Sequence, residues 1–376
     1  MRILVTVPWG QRLGGSEVML QTVLDGASES GHELELVFFE PGPWPAELAQ
    51  AGFRVQVIPA GRVREVHHLI ATVVRLARLL RRRRPDLIVN WIAKAQVYCA
   101  PAAMLAGMSD RVVWWQHDIP AGHWLDRCAT ALPAIAVGCS SSTSAAAQAR
   151  MSPSRPTFVV APGTPIPTSA PAPLALPAGV PVVGLVGRLQ PWKGQDRLLR
   201  AQALLHERGH RIHTLIVGGD AHGLSTEYAA SLAPLVSSLG LTDAVTMTGQ
   251  VPDAGPYVDR MDILVNASDP EPFGIVLLEA MARGVAVVAV DAGGPAEIIE
   301  DRRTGMLAPT GEPGALADAL EPLLASPQLR LQIGRAGRDR FMHDYTDSAM
   351  RERFFAALEG LVRRRGDATA PPAQLG

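Results

Sequence analysis

Two glutamates in one short stretch, Asp269-Pro270-Glu271-Pro272-Phe273-Gly274-Ile275-Val276-Leu277-Leu278-Glu279, carry the densest chemistry in this sequence. Two prolines stiffen the loop and a helix is expected from Phe273, so Glu271 stands just outside the helix with its carboxylate free to face a ligand. Glu279 is expected about two turns inside that helix, among Leu277, Leu278, Ala280 and Met281. A carboxylate buried there without partners is costly, and a pair of hydroxyls such as a ribose offers would satisfy it. A place on a solvated helix stripe accounts for the same spacing.

A second stretch, Gly187-Arg188-Leu189-Gln190-Pro191-Trp192-Lys193-Gly194, follows an apolar run and precedes an amphipathic one. Arg188 and Lys193 then sit on a strand-to-helix loop, beside a helix start that already favours anions. Two cations and free backbone amides suit a diphosphate; a solvated loop with incidental charges is the plainer account. Asp291-Ala292-Gly293-Gly294-Pro295-Ala296-Glu297 also follows an apolar run. Its paired glycines either let a ligand approach the backbone or simply make a turn. Near the N-terminus, Gly14-Gly15-Ser16-Glu17 opens a helix after the first strand. It is not the Gly-x-Gly-x-x-Gly dinucleotide fingerprint, and Gly184-Leu185-Val186-Gly187 is only a fragment of one. His117, in Trp114-Trp115-Gln116-His117-Asp118, stands just past another strand, where a structural and a functional histidine are both expected.

These residues need elements to position them. The 376 residues suit two ordinary domains, and 47% apolar against 19% charged residues lets each bury a core. Strands are expected at 3–7, 34–39, 55–58, 87–90, 112–115, 135–137 and 158–160, with helices at 16–30, around Ala46, and at 65–84. The pattern restarts with strands at 182–186, 212–217, 245–248, 263–265 and 285–290. Helices are expected at 195–208, 226–239, 273–282 and 295–299, and after 307 the chain reads as helical, at 314–324, 327–341 and 348–365. Continuous apolar strands between helical stretches predict parallel sheets covered on both faces, a doubly wound α/β fold in each half. Prolines crowd 152–181, and the latter part of that stretch reads as the linker. In such sheets ligands sit at the carboxyl ends of strands, where each motif above falls. The last ten or so residues, rich in Pro, Ala and Gly, read as a frayed tail.

The spaced combination of 187–194, Glu271 with Glu279, and Gly293-Gly294 with Glu297 resembles the signature of glycosyltransferase family 4, the group 1 glycosyltransferases. The resemblance is strong over 180–310 and weaker but continuous before that. It implies two Rossmann-like domains facing a central cleft, the GT-B fold: an acceptor-side domain over 1–172 and a nucleotide-sugar-binding domain over 173–345. A C-terminal helix over 346–365 would cross back onto the first. It further implies a retaining transferase, with UDP ahead of GDP in the donor. Arg188 and Lys193 would neutralise the departing diphosphate, Glu271 would hold the donor sugar, and Glu279 the ribose. Gly187, Gly249 and Val251 would line the nucleotide, and amides of Phe273, Gly274 and Ile275 would reach the sugar and phosphates. Gly14 and Gly15 would approach the diphosphate, and His117 the donor sugar and acceptor. The acceptor expected is a saccharide, a lipid-linked saccharide or a small natural product.

Composition excludes several other classes. A formal net charge of −1 argues against nucleic-acid binding. The three cysteines form no Cys-x-x-Cys pair and fit a cytosolic protein, and residues 1–8 read as a buried strand rather than a secretory leader. No Asp-x-Asp or metal-ligand spacing occurs, so neither a metal nor another cofactor is expected. Arg81-Arg82-Arg83-Arg84 ends a helix, as a solvated terminus or as a contact with anionic lipid on the inner membrane face. Trp114 and Trp115 are expected as core on one side and acceptor wall on the other. Two further readings share the fold: a nucleotide-sugar epimerase, and a two-domain sugar-binding protein without catalysis.

Overall fold

The computed structural model describes residues 1–12, 14–61, 65–168, 170–220, 223 and 225–369. The expected tail at 370–376 lies outside them. The chain divides into two compact units: Met1–Pro162 with the chain from Ser348 onward, and Gly163–Asp347. The division falls ahead of 172 because the proline-rich stretch is tied to the second unit. Thr164 donates to the Tyr345 carbonyl at 3.1 Å, Ala172 to the Pro256 carbonyl at 2.7 Å, and Arg260 to the Leu174 carbonyl at 3.1 Å.

Unit 1 is a parallel sheet of β1 (Arg2–Val7), β2 (Glu33–Phe38), β3 (Arg54–Val57), β4 (Leu87–Trp91), β5 (Val112–Gln116), β6 (Ala136–Cys139) and β7 (Thr157–Val159). Its order is β3-β2-β1-β4-β5-β6-β7, with β3 and β7 at the edges. The helices are α1 (Gly15–Asp25), α2 (Pro43–Gln50), α3 (Val66–Arg83), α4 (Ile92–Ala106), α5 (Trp124–Ala131) and α6 (Ser142–Met151). The sequence pattern misses α4, because a helix buried on nearly every side has no polar stripe to mark its period. Pro101 inside it deepens the disguise. Helices α5 and α6 were also not expected.

Unit 2 is a second parallel sheet, of β8 (Val182–Val186), β9 (His213–Val217), β10 (Val245–Met247), β11 (Ile263–Asn266), β12 (Ala286–Val290) and β13 (Met306–Ala308), ordered β10-β9-β8-β11-β12-β13. Strand β13 lies where the sequence reads as entering helices; it is three residues long and falls below any period. The helices are α7 (Gln195–Glu207), α8 (Thr226–Ser238), α9 (Gly255–Val258), α10 (Ile275–Ala282), α11 (Pro295–Ile298), α12 (Pro313–Ala325) and α13 (Pro327–Asp344). The apolar strands, buried on both faces, give this unit its core with Leu198, Leu205, Leu316 and Leu320.

The last helix, α14 (Asp347–Thr369), completes the core of unit 1. Met350, Phe354, Phe355 and Leu358 are buried among Trp91, Trp115 and the β1–β5 side chains. Phe354 lies 4.7 Å from the Trp115 ring, which stacks on Trp91 at 5.5 Å. Both Trp114 and Trp115 are fully buried. That corrects the expected acceptor wall: adjacent strand residues point to opposite faces, and helices cover both.

Candidate active site

Because all strands of unit 2 run parallel, the loops after β8, β9, β10, β11 and β12 leave the sheet at one end. The loop after β8 starts at Gly187, passes through a short 3-10 turn over Pro191–Lys193, and enters α7 from Gly194. Gly194 has φ +73, and a Cβ there would lie 2.5 Å from the Ala267 carbonyl oxygen, so it is obligatory on two counts. Gln195, fully buried, donates from its amide to the Arg188 carbonyl at 2.9 Å and so holds the loop's shape.

The two cations of this loop differ. The Lys193 ammonium lies 2.7 Å from a Glu271 carboxylate oxygen and 4.0 Å from the Trp192 ring centroid. Its side chain is 18% exposed and that of Glu271 only 8%. Half-buried Arg188, by contrast, makes no side-chain hydrogen bond or ion pair among the described residues. It is a cation at the carboxyl end of β8 with no counter-charge among the described residues.

Glu271 is set by three backbone links. Its N–H donates to Ala292 at 2.9 Å, its carbonyl accepts from Gly294 at 2.8 Å, and Asp269 N–H before it donates to Trp192 at 3.0 Å. Asn266, buried at the end of β11, donates to the same Glu271 oxygen at 3.3 Å. So Glu271 faces Lys193 rather than open space. Gly294 also proves internal: a Cβ on it would fall 2.3 Å from Phe273 Cα. It lets the Glu271 segment pack on the loop after β12.

Helix α10 begins at Ile275, later than expected, because Gly274 takes φ +100 as its N-cap. The unpaired amides of a helix start therefore begin at Ile275. Glu279 falls about one turn in, not two. It keeps partial exposure, yet the surrounding atoms desolvate it and push its pKa up to about 7. Arg283 pulls that value down and Asp253 raises it. Its carboxylate has no hydrogen-bond partner among the described residues.

Three loops meet beside Gly187. Gly218 N–H donates to the Gly249 carbonyl at 3.1 Å, and Leu189 N–H to Gly219 at 3.0 Å. A Cβ on Gly218 would sit 2.0 Å from the Gly187 carbonyl oxygen, at φ +138. Gly249, at φ +69, has open space around it, and Val251 is half-buried just beyond. Asn266 and the Gly218-Gly219 pair escaped the sequence reading; a glycine pair directly after an apolar strand was the signal. Gly218→Ala is expected to cost on the order of 3 kcal/mol of stability. Its denaturant midpoint should fall clearly below wild type, and an unchanged midpoint would refute the close approach.

In unit 1, Gly14 caps α1 without a side-chain bond and Gly15 is its first residue. His117 lies just past β5, 4.6 Å from the Trp91 ring, with Nε2 buried and unpartnered among the described residues. Burial pushes its pKa down to about 3, so it is a neutral imidazole at physiological pH. At the same sheet end, Lys94 pairs with Glu40 at 2.8 Å and lies 4.3 Å over the partly exposed Trp9 ring. Ile92, which starts α4, has φ +72, a strained value for a β-branched residue. None of these last four was singled out from the sequence.

Two family models match the chain, "Glycosyl transferases group 1" over residues 168–340 and "Glycosyltransferase Family 4" over 13–166. The chain belongs to the group 1 glycosyltransferases of family 4, and its two doubly wound units are those of the GT-B fold. It is 34% identical over 226 residues to the D-inositol 3-phosphate glycosyltransferase of Gordonia bronchialis, covering 56% of this chain and 49% of that one. It is 36% identical over 153 residues to the lipopolysaccharide core biosynthesis mannosyltransferase LpcC of Rhizobium leguminosarum, covering 41% and 43%. The chain spans about half the length of the curated relatives it matches. Among solved structures, Anabaena HepE in complex with UDP and glucose is 26% identical with a TM-score of 0.82, covering 95% and 99%. Sucrose-phosphate synthase from Thermosynechococcus elongatus shares the fold at 22% identity and a TM-score of 0.78, covering 98% and 100%.

Proposed function

We propose that this chain is a retaining glycosyltransferase that moves a hexosyl group from a nucleoside-diphosphate sugar, UDP ahead of GDP, to a hydroxyl acceptor, without a metal. One observation carries the reading. The unpaired Arg188 and the Lys193–Glu271 pair share the ligand end of the unit 2 sheet with an unpartnered, desolvated Glu279. HepE, solved with UDP and glucose, supports UDP as the first choice. Breaking the sugar–phosphate bond builds negative charge on the diphosphate and positive charge on the anomeric carbon. Fixed cations stabilise the first, which is where Arg188 and Lys193 act. Glu271 holds the Lys193 ammonium in place and offers its second oxygen to a donor-sugar hydroxyl.

The Ile275 end of α10, with Phe273 and Gly274, supplies amides to the sugar and phosphates. Glu279 takes the ribose hydroxyls, and Gly187, Gly249 and Val251 leave room for the nucleotide. The departing phosphate oxygen accepts the acceptor proton on the same face, so neither glutamate is assigned as a nucleophile. Within unit 1, the family resemblance gives Gly14 and Gly15 a diphosphate role. His117 acts there as a neutral hydrogen-bonding group rather than a base titrating near neutrality. Trp9, with the Lys94–Glu40 pair, is suited to stack and hydrogen-bond a saccharide acceptor.

A thermal-shift screen of nucleotide sugars tests the donor, since a ligand of the native state raises its stability. Product analysis with the best donor, in excess chelator, should then show transfer to an added saccharide with the anomeric configuration kept. Isomerised donor without acceptor would favour the epimerase reading, and stabilisation without any turnover the binding protein.

The Glu279 pKa gives a pH signature. Between its ordinary value of 4.5 and about 7 the folded chain holds a proton that the unfolded chain has lost. Its contribution to stability is therefore present at low pH and lost as pH rises through about 7. Ribose hydroxyls donate better to the ionised form, so nucleoside diphosphate affinity should rise about fivefold between pH about 6 and about 8. Glu279→Gln should flatten that rise. An equal pH dependence in both proteins would remove Glu279 from the ribose.

A further inference from the structure

A groove that the donor reading does not use lies in unit 1. It spans about 560 Å³ between the edge strand β3 and helix α3, lined by Gln56, Val57, Leu79, Arg75, Arg78, Arg82 and Arg83. Arg75, Arg78 and Arg82 recur at spacings of three and four residues, so their side chains rise from one face of α3. Among the described residues none of the three has a carboxylate within ion-pairing distance. Arg83 is neutralised by Glu35 at 2.9 Å. The other basic residues of this helix end are occupied differently. Arg81 donates to the Leu105 carbonyl, and Arg84 closes the helix in the left-handed region with its carbonyl accepting from Arg2 at 3.0 Å. Within the run at 81–84, Arg81 and Arg83 thus have side-chain partners of their own, whereas Arg82 joins Arg75 and Arg78, one to two turns earlier, on the groove.

Three guanidiniums on one helix face repel one another, and a bound anion would offset that. Val57 adds a donor. Ile58 N–H pairs inward with the Phe38 carbonyl at 2.8 Å, and the period of two turns the Val57 N–H toward the open edge. Planar, bidentate guanidinium donors beside an edge amide match the oxygens of a phosphate group better than a lone carboxylate.

We propose that this groove binds a phosphate-bearing ligand, at a site separate from the donor site of unit 2. The test compares the full chain with an Arg75→Gln/Arg78→Gln/Arg82→Gln variant. All three side chains are exposed, so folding, checked by thermal melting, should be preserved. Inorganic pyrophosphate binding by calorimetry probes a free phosphate ligand. Flotation with phosphatidylcholine vesicles, with and without phosphatidylglycerol, probes a lipid headgroup. Binding to either anionic probe should weaken at least about tenfold in the triple variant and fall with added salt. An Arg188→Ala chain should keep it, which separates this groove from the donor site. Wild-type protein that binds neither probe, or a triple variant that binds as wild type, would overturn the proposal.

Discussion

Lys193→Ala should lower turnover by about a hundredfold or more, because it removes a fixed cation from the leaving diphosphate. It should also destabilise the fold, on the order of 2 kcal/mol, because among the described residues it strands the buried Glu271 carboxylate with only the Asn266 amide at 3.3 Å. The two effects separate in a second variant. Adding Glu271→Gln removes the stranded charge and should restore most of the stability without restoring turnover. Saturated initial rates and denaturant unfolding read the two quantities independently. Turnover within threefold of wild type would remove Lys193 from the leaving group, whatever happens to stability.

Arg188→Ala should also cost about a hundredfold or more in turnover, but with stability within about 0.5 kcal/mol of wild type. The contrast follows from partners. Lys193 sits in an ion pair with Glu271 at 2.7 Å, whereas the Arg188 guanidinium touches no described carboxylate. Arg188→Lys should recover part of the rate, since it restores the charge but not the planar pair of donors. A loss of stability in Arg188→Ala comparable to that of Lys193→Ala would mean the guanidinium has a structural partner, and normal turnover would end its catalytic assignment.

Much of the fold was legible because parallel strands buried on both faces leave continuous apolar runs, such as 182–186 and 285–290. The runs that failed had no period to read: α4 is buried nearly all round, and β13 is three residues long. Side-chain partnerships were less visible than elements. Lys193 and Glu271 lie far apart in the chain and meet only because β8 and β11 are neighbours in the sheet. Sequence alone therefore assigned them separate duties.

The two glutamates and two cations were identifiable from residue type and spacing, since a helix start after an apolar strand puts such groups at the ligand end of any doubly wound sheet. That much is local, and the sequence by itself determined it, together with the parallel α/β class. Tertiary structure decided the rest. Strand order joins Lys193 to Glu271 and leaves Arg188 without a counter-charge among the described residues. Backbone packing assigns Gly294 to Phe273 rather than to a ligand. Desolvation, which sums over atoms from many segments, sets Glu279 near neutrality and keeps His117 uncharged. None of these follows from spacing, because each depends on which distant backbone lies alongside.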